Sequence, residues 1–359
     1  MNIDMHCHLL GNCKDINVAL NHQDIYYDPD DNKNDFASFF VKNISIRAIK
    51  SYMKYYGAKI KENEITSEMY FDFIYDIFTN SKHTDQLVLL ALDANYHQQT
   101  HELQIKETDL FISNKYLFNK VNELNKKLID NGFINKKFLF GASVNPNRND
   151  VMEELKYVVK ETNAVLLKII PSAQNIDLED PRHFEFFRYL RDNDLPLLCH
   201  VGPELSLAEG INNKYFDQFY KLHVPLFYNV KVIAAHCAAP MWPWQFYKIK
   251  PFLNFLKYWN EVNVKLYTDI SALTMSFRIP FLKKYIKQLN SEYLINGSDF
   301  PCPIEPWMHL PWITHNIKLK DYFDILKEKN PLDIDTKLKL YHGFNESVFS
   351  NYENILRLN

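Results

Sequence analysis

A chain of 359 residues exceeds the usual domain of about 100–200 residues, yet a single α/β barrel with insertions accommodates it. With 47% hydrophobic and 15% aromatic residues and a formal net charge of −3, neither disorder nor a nucleic-acid-binding surface is indicated, and a small molecule is the expected partner. Five cysteines without framework spacing, no basic stretch leading into an apolar one near Met1, and no apolar run of about 18 residues point to a cytoplasmic protein with no membrane span.

The first segment, NIDMHCHLL, opens a series of eight short apolar runs bounded by turn residues. It is followed by QLVLLALD, KFLFGASVNP, NAVLLKIIPS, LPLLCHVG, KVIAAHCAA, LYTDISALT and EYLINGSDFP. Helical periodicity fills most of the gaps, as in DLFISNKYLFNKVNELNKKLIDNG, DVMEELKYVVKETN and PRHFEFFRYLRDND, each closing near Asn, Asp or Gly. Alternating strands and helices imply a parallel sheet, and eight such units imply a (β/α)8 TIM barrel as one unit over residues 1–359. Between the first two runs, residues 11–85 make an insertion too long for a βα loop. Two aromatic helical stretches in it, near Asp35–Tyr56 and Ser67–Phe78, predict a cap over one end of the barrel or an extra packing layer, and leave room for a homodimer. Residues 302–359 open within PCPIEPWMHLPWI, too proline-rich for a strand or helix, and read as a rim loop followed by C-terminal helices.

Successive side chains on a strand face opposite sides, so His6 and His8 share a face and Cys7 takes the other. A metal in the barrel mouth would then take both histidines and exclude Cys7. Cys199 beside His200 and Cys237 beside His236 repeat the pattern and read as small buried hydrophobes. Asp4 shares the parity of His6 and His8. His200, His236, Asp299 and Lys168 each fall near the C-terminal end of a predicted strand, the end that carries active sites in this fold. Any one of these histidines alone is better explained as a hydrogen-bonded structural residue, but four of them with an aspartate and a lysine at one end are not. Imidazole and carboxylate suit zinc or a related divalent ion in an open, catalytic site. A lysine inside an apolar strand must be paired, modified or reaching for solvent.

The pattern DxHxH (Asp4, His6, His8), the histidine of HVGPE (His200), His236 and the closing GSDFP occur in that order over essentially the whole chain. They resemble the amidohydrolase superfamily of metal-dependent barrels, and most closely the amidohydrolase-related branch that also holds aminocarboxymuconate semialdehyde decarboxylase and related lyases. The resemblance implies His6, His8, His200 and Asp299 as metal ligands, with one zinc ion favoured over two. It makes His236 the residue that polarises the substrate or holds a second ion, Lys168 a ligand only if carboxylated, and Asp4 an orienting neighbour of the histidines.

The activity implied is metal-dependent hydrolysis, an activated water attacking an amide, lactone or ester-type carbon of a small molecule. Asp299 would serve as general base and then acid, and His236 would stabilise the oxyanion. The alternative is a non-oxidative decarboxylase or other lyase of a small aromatic carboxylic acid, which needs an arginine for the substrate carboxylate; Arg47, Arg148 and Arg278 are the options. A barrel that binds metal without chemistry is a third reading, and the presence of Asp299 speaks against it. Trp242, Trp307 and His97, with His101, lie on loops after the sixth, eighth and second strands as candidates to line the pocket, core burial or solvent being the plainer alternatives. Arg182 reads as a helix start facing water.

Overall fold

The computed structural model describes residues 1–9, 35–37, 53–57, 67–104, 107–204, 206–207, 213–240, 242–275, 277–302 and 317–358. Eight strands form one parallel sheet in chain order: β1 (Ile3–His8), β2 (Gln86–Leu90), β3 (Lys137–Ala142), β4 (Leu166–Ile169), β5 (Leu197–Cys199), β6 (Val232–Ala234), β7 (Leu266–Asp269) and β8 (Leu294–Ile295). All eight fall within the apolar runs read from the sequence. The sheet closes because β1 meets the chain after β8. Met5 N–H donates to Asn296 O (3.0 Å), Asp299 N–H to His6 O (2.8 Å) and His8 N–H to Phe300 O (2.7 Å). The protein is a (β/α)8 barrel.

Around it run α1 (Ser67–Asn80), α2 (Asn114–Asp130), α3 (Val151–Glu161), α4 (Phe184–Asp192), α5 (His223–Phe227), α6 (Ile249–Glu261), α7 (Ile279–Gln288), α8 (Leu319–Lys327) and α9 (Pro331–His342). The helix α2 shows why they form. Ser113 accepts the N–H of Tyr116 as N-cap, and Leu117, Val121, Leu124 and Leu128 return every three or four residues to one buried face. Alternation along the strands separates two cores. Leu87 and Leu89 of β2 pack outward against the helices, whereas Val88 and Leu90 point into the barrel. Tyr352, Ile355 and Leu356 join the inner cluster, and Arg357 N–H donates to Val165 O (2.9 Å), so the C-terminal segment closes the barrel's N-terminal mouth. The opposite mouth is left to polar side chains.

Two local expectations change. Asp35–Ala37, the start of the first expected helix, is a short strand paired antiparallel with Leu110–Ile112, whose backbone groups give it partners outside the barrel. In β1, Asp4 pairs with Leu87 and Cys7 with Leu89, three steps against two, so a bulge lies between them. The bulge breaks the parity that placed Asp4 on the face of His6 and His8. The C-terminal helices expected from the sequence are α8 and α9; beyond Gly343, whose φ of 104° ends α9, the chain makes a 3-10 turn at Glu346–Phe349 and further turns.

The helix α1 runs down the barrel flank. The Tyr70 hydroxyl donates to His8 O at the end of β1, and Phe78 packs on Phe138 at the start of β3. The remainder of the insertion, and the rim loop beyond Cys302 as far as residue 316, lie outside the described residues. Among the described residues no helix is long and apolar enough to cross a membrane.

Candidate metal centre and active site

The end of β1 delivers two imidazoles to one point. His6 Nε2 and His8 Nε2 approach to 3.0 Å, and Asp299 Oδ1 lies 3.4 Å from each. Cys7 between them is buried in the outer core. Asp299 arrives from the turn after β8 with φ 64°, a left-handed conformation that Asp and Asn tolerate better than most residues. Two residues earlier, a Cβ on Gly297 would stand 2.6 Å from the Cβ of His6, so only glycine lets this turn come so close to β1. A buried lysine of α9 holds the turn from behind, Lys339 Nζ donating to Gly297 O (2.7 Å) and Asn296 Oδ1 (2.9 Å) while paired with Asp335.

Asp269, at the end of β7, organises the other side of the cluster. It went unassigned in the sequence, although the strand-end rule that selected Asp299 applies equally to the Asp of LYTDISALT. His6 Nδ1 lies 2.7 Å from Asp269 Oδ2, while Asp269 Oδ1 accepts the His236 and Ser271 N–H groups and the Ser271 hydroxyl. Burial works to raise the Asp269 pKa, but His6, His236 and Ser271 outweigh it and hold the carboxyl well below its usual range. An ionised Asp269 only accepts, so His6 carries its proton on Nδ1 and turns a bare Nε2 lone pair into the cluster.

The same reasoning settles His236. The Ser271 hydroxyl proton is committed to Asp269, so Oγ accepts from His236 Nδ1 (2.7 Å), leaving Nε2 without a proton. Burial pulls the His236 pKa down to about 3 and that of His6 to about 4, so both rings are neutral at pH 7. Donation from His236 to an oxyanion, the role expected from the sequence, therefore requires prior protonation; as it stands, Nε2 accepts a proton or a metal. His236, Cys237 and Ala238 all have positive φ (57°, 52° and 47°), a strained turn that aims the imidazole across the mouth.

His200, directly after β5, is buried with an Nε2 that has no hydrogen-bond partner among the described residues, and its ring lies 5.1 Å from that of His236. A buried, unpartnered imidazole nitrogen beside the His236 ring has the chemistry of a metal ligand. Two groups among the described residues bring their ligand atoms within 4.8 Å of one another and fit a divalent metal, His6 with His8 and Asp299, and His6 with His236 and Asp269; His200 belongs to neither. Lys168, fully buried on β4, places Nζ 3.1 Å from His6 Nε2 with no carboxylate within ion-pair reach among the described residues, and burial lowers its pKa. Glu204, in HVGPE, lies 3.7 Å from His200 Nδ1, and Cys302 Sγ donates to Asp299 Oδ2 (3.1 Å); the sequence reading left both unassigned.

Other candidates take plainer places. Asp4 accepts the N–H groups of His6 and Ser298, so it fixes their backbone rather than an imidazole. His97 Nδ1 accepts the Thr100 N–H of its own turn, and His101 donates to Asn147 O. Trp242 is half exposed and stacks on Trp244 at 5.2 Å. Arg182 pairs with Asp180 at the surface, and Arg148 is held by Asp93, Asp150 and Glu154. Cys199 and Cys237 pack in the outer core with Cys7. Trp307 and Arg47 lie outside the described residues.

Histidines and aspartates gathered at the C-terminal mouth of a parallel (β/α)8 barrel define the class to which this chain belongs, a barrel enzyme with a candidate divalent-metal centre. Its family follows from the sequence itself: the amidohydrolase family profile matches residues 134–328, more than half of the chain, and the chain belongs to that family. The matched span contains Lys168, His200, His236, Asp269 and Asp299. Among solved structures, an uncharacterised TIM-barrel protein from Bordetella bronchiseptica is similar in fold, with a TM-score of 0.51 and 13% identity over 96% of this chain and 99% of that one. A 5-carboxyvanillate decarboxylase from Sphingomonas paucimobilis has a TM-score of 0.48 and 12% identity, covering 100% of this chain and 99% of its own. A 4-oxalomesaconate hydratase from Rhodopseudomonas palustris has 0.46 and 15%, covering 99% and 97%. No curated protein matches the chain.

Two outcomes follow from this geometry. Asp269→Asn removes the charge that keeps the His6 proton on Nδ1, and metal affinity is expected to fall roughly 10–100-fold; competition against a chelator measures it, and unchanged affinity would contradict the assigned tautomer. Cys7→Ala should leave metal content unchanged, because the thiol lies in the outer core; elemental analysis showing lost metal would place Cys7 among the ligands.

Proposed function

We propose that this protein is a metal-dependent hydrolase of a small molecule, cleaving an amide, lactone or ester-type bond with one zinc ion on His6, His8, His200 and Asp299. The observation that carries the reading is the triangle of His6 Nε2, His8 Nε2 and Asp299 Oδ1 at 3.0–3.4 Å in the active mouth of the barrel. A bound divalent ion supplies Lewis acidity, polarising a carbonyl and making water a better nucleophile.

The chain's own residues supply the rest. Burial opposes ionisation of Asp299, but His236, His6 and His8 outweigh it and keep the carboxyl well below its usual range, so it is ionised at neutral pH with both oxygens able to accept hydrogen bonds. His236 Nε2, bare and across the mouth, orients the hydrogen of a nucleophile or takes it. The Asp269–Ser271 pair keeps both rings fixed while protons move, so little reorganisation is needed during the reaction.

A metal-loaded sample screened against amides, lactones and esters, with aromatic carboxylic acids assayed for carbon dioxide release, tests the reading. Hydrolysis abolished by a chelator and restored by zinc is expected. Carbon dioxide release without hydrolysis would replace it with the decarboxylase alternative.

The pH dependence of metal retention has a defined sign. Protons displace a metal from imidazole only as the pH falls toward the folded-state pKa. That lies near 4 for His6, and burial depresses His200 well below its usual range, against 6.5 for an ordinary histidine. Protonation of His6 and His200 should therefore displace no metal on dialysis from pH 7.5 to 5.5, that of His6 beginning only nearer pH 4 to 5. NMR signals of these two rings titrating near pH 6.5 would show that they behave as ordinary histidines.

A further inference from the structure

A helix on the outside of a barrel ordinarily buries an apolar stripe and leaves its charges in water. The helix α9 does not: Asp333, Asp335 and Lys339 are each at most 1% exposed. Asp335 and Lys339, one helical turn apart, form an ion pair. The three ammonium hydrogens of Lys339 go to Asp335 Oδ2, Asn296 Oδ1 (2.9 Å) and Gly297 O (2.7 Å), while Asp335 Oδ1 accepts the Thr274 hydroxyl (2.7 Å). Such a pair is weak ground for stability, because well-packed apolar residues of similar volume often hold a fold as well or better. Its charges need an explanation in what they touch.

They touch the two turns that frame the candidate metal centre. Thr274 belongs to the turn after β7, which also holds Ser271, and Asn296 and Gly297 open the turn after β8 that delivers Asp299. The turns meet where Ala272 N–H donates to Ser298 O (3.2 Å). His6 lies between their carboxylates, Nδ1 2.7 Å from Asp269 Oδ2 and Nε2 3.4 Å from Asp299 Oδ1. The spacing of the turns is therefore the spacing of the two acids about that ring. Asn296 Nδ2 also donates to Ile3 O (2.8 Å), so the same clasp reaches β1, the strand that carries His6 and His8.

We propose that Asp335 and Lys339 are a positioning pair for the metal centre, setting the Asp299 turn against the Asp269 turn and β1 so that Asp299 Oδ1 faces His6 and His8. The inference rests on the metal centre of the proposed function, not on the reaction carried out there. The pair acts through Thr274, Asn296 and Gly297. Asp333 of the same helix supplies the comparison. It is as deeply buried and accepts the Ser81 hydroxyl and the N–H groups of Lys82 and His83, in the turn between α1 and β2 rather than in either turn of the centre.

The test is zinc affinity, measured by competition against a chelator well below each thermal midpoint, for wild type, Lys339→Met/Asp335→Leu, Thr274→Val and Asp333→Asn. The double variant removes both charges together, so neither is left buried alone. Its zinc dissociation constant should rise about 10–100-fold, the scale of losing the support of a ligating residue. Thr274→Val cuts one link and should weaken zinc about 2–10-fold, the scale of a single hydrogen bond. Asp333→Asn should bind zinc as wild type does, even with a lower midpoint. A merely structural role would move midpoints and leave the zinc affinity of every variant alone. Wild-type affinity in the double variant would overturn the proposal, as would equal weakening in Asp333→Asn. Should the double variant not fold, wild-type affinity in Thr274→Val would overturn it instead. Wild type that binds no zinc would reject the metal centre and this inference with it, whereas wild-type binding unchanged in the variants rejects this inference alone. Zinc weakened as expected in a protein that hydrolyses nothing would keep the inference and reject the hydrolase reading.

Discussion

Asp299→Asn should leave the fold intact and much of the metal bound while turnover falls about 10²–10⁴-fold, the range for a positioned acid–base group. Asparagine tolerates the left-handed φ of 64° at this position, and the backbone N–H keeps its bond to His6 O. The amide oxygen can still face His6 and His8, so the metal retains a ligand atom. What disappears is the ionised oxygen, since an amide accepts no proton near neutral pH. Steady-state kinetics with parallel metal analysis measures both halves. Full metal with near-wild-type turnover would mean that the reaction uses the ion as a Lewis acid alone.

His236→Asn should lower turnover by a similar factor, about 10²–10⁴-fold, with metal content unchanged. The φ of 57° again suits asparagine, so the turn Ala235–Ala238 can form as before. The loss is confined to Nε2, which the Ser271 contact leaves free to accept. Equal metal and reduced turnover define a proton acceptor. Loss of one of two ions would instead make Nε2 a ligand and bring Lys168, 3.1 Å from His6 Nε2, into a binuclear centre.

Much of this was legible in the sequence because the barrel repeats one signal eight times. Each strand is an apolar run ending in turn residues, and β4, β5, β6 and β8 lead directly to Lys168, His200, His236 and Asp299. Parity separated His6 and His8 from Cys7, whose thiol does pack in the outer core. Parity failed one turn of the pleat earlier. A bulge between Asp4 and Cys7 adds a residue to β1, and nothing in the string IDMHCH announces it.

Asp269 was overlooked for another reason. Its role comes largely from His6, 263 positions away in the chain, and a strand-end aspartate beside Ser271 reads as a turn until His6 is known to meet it. The tautomers were also beyond the sequence, since they depend on which group has already committed the Ser271 proton. Arg278, a candidate from the sequence, is buried with no carboxylate in ion-pair reach among the described residues, which separates it from Arg148.

Elemental analysis of the purified protein after reconstitution with zinc, wild type beside a His6→Ala/His8→Ala variant, tests the central claim most directly. About one divalent ion per wild-type chain and none in the variant is the predicted result. Wild type without metal even after reconstitution, or a variant that keeps its full complement, would contradict a metal centre built on β1 and Asp299.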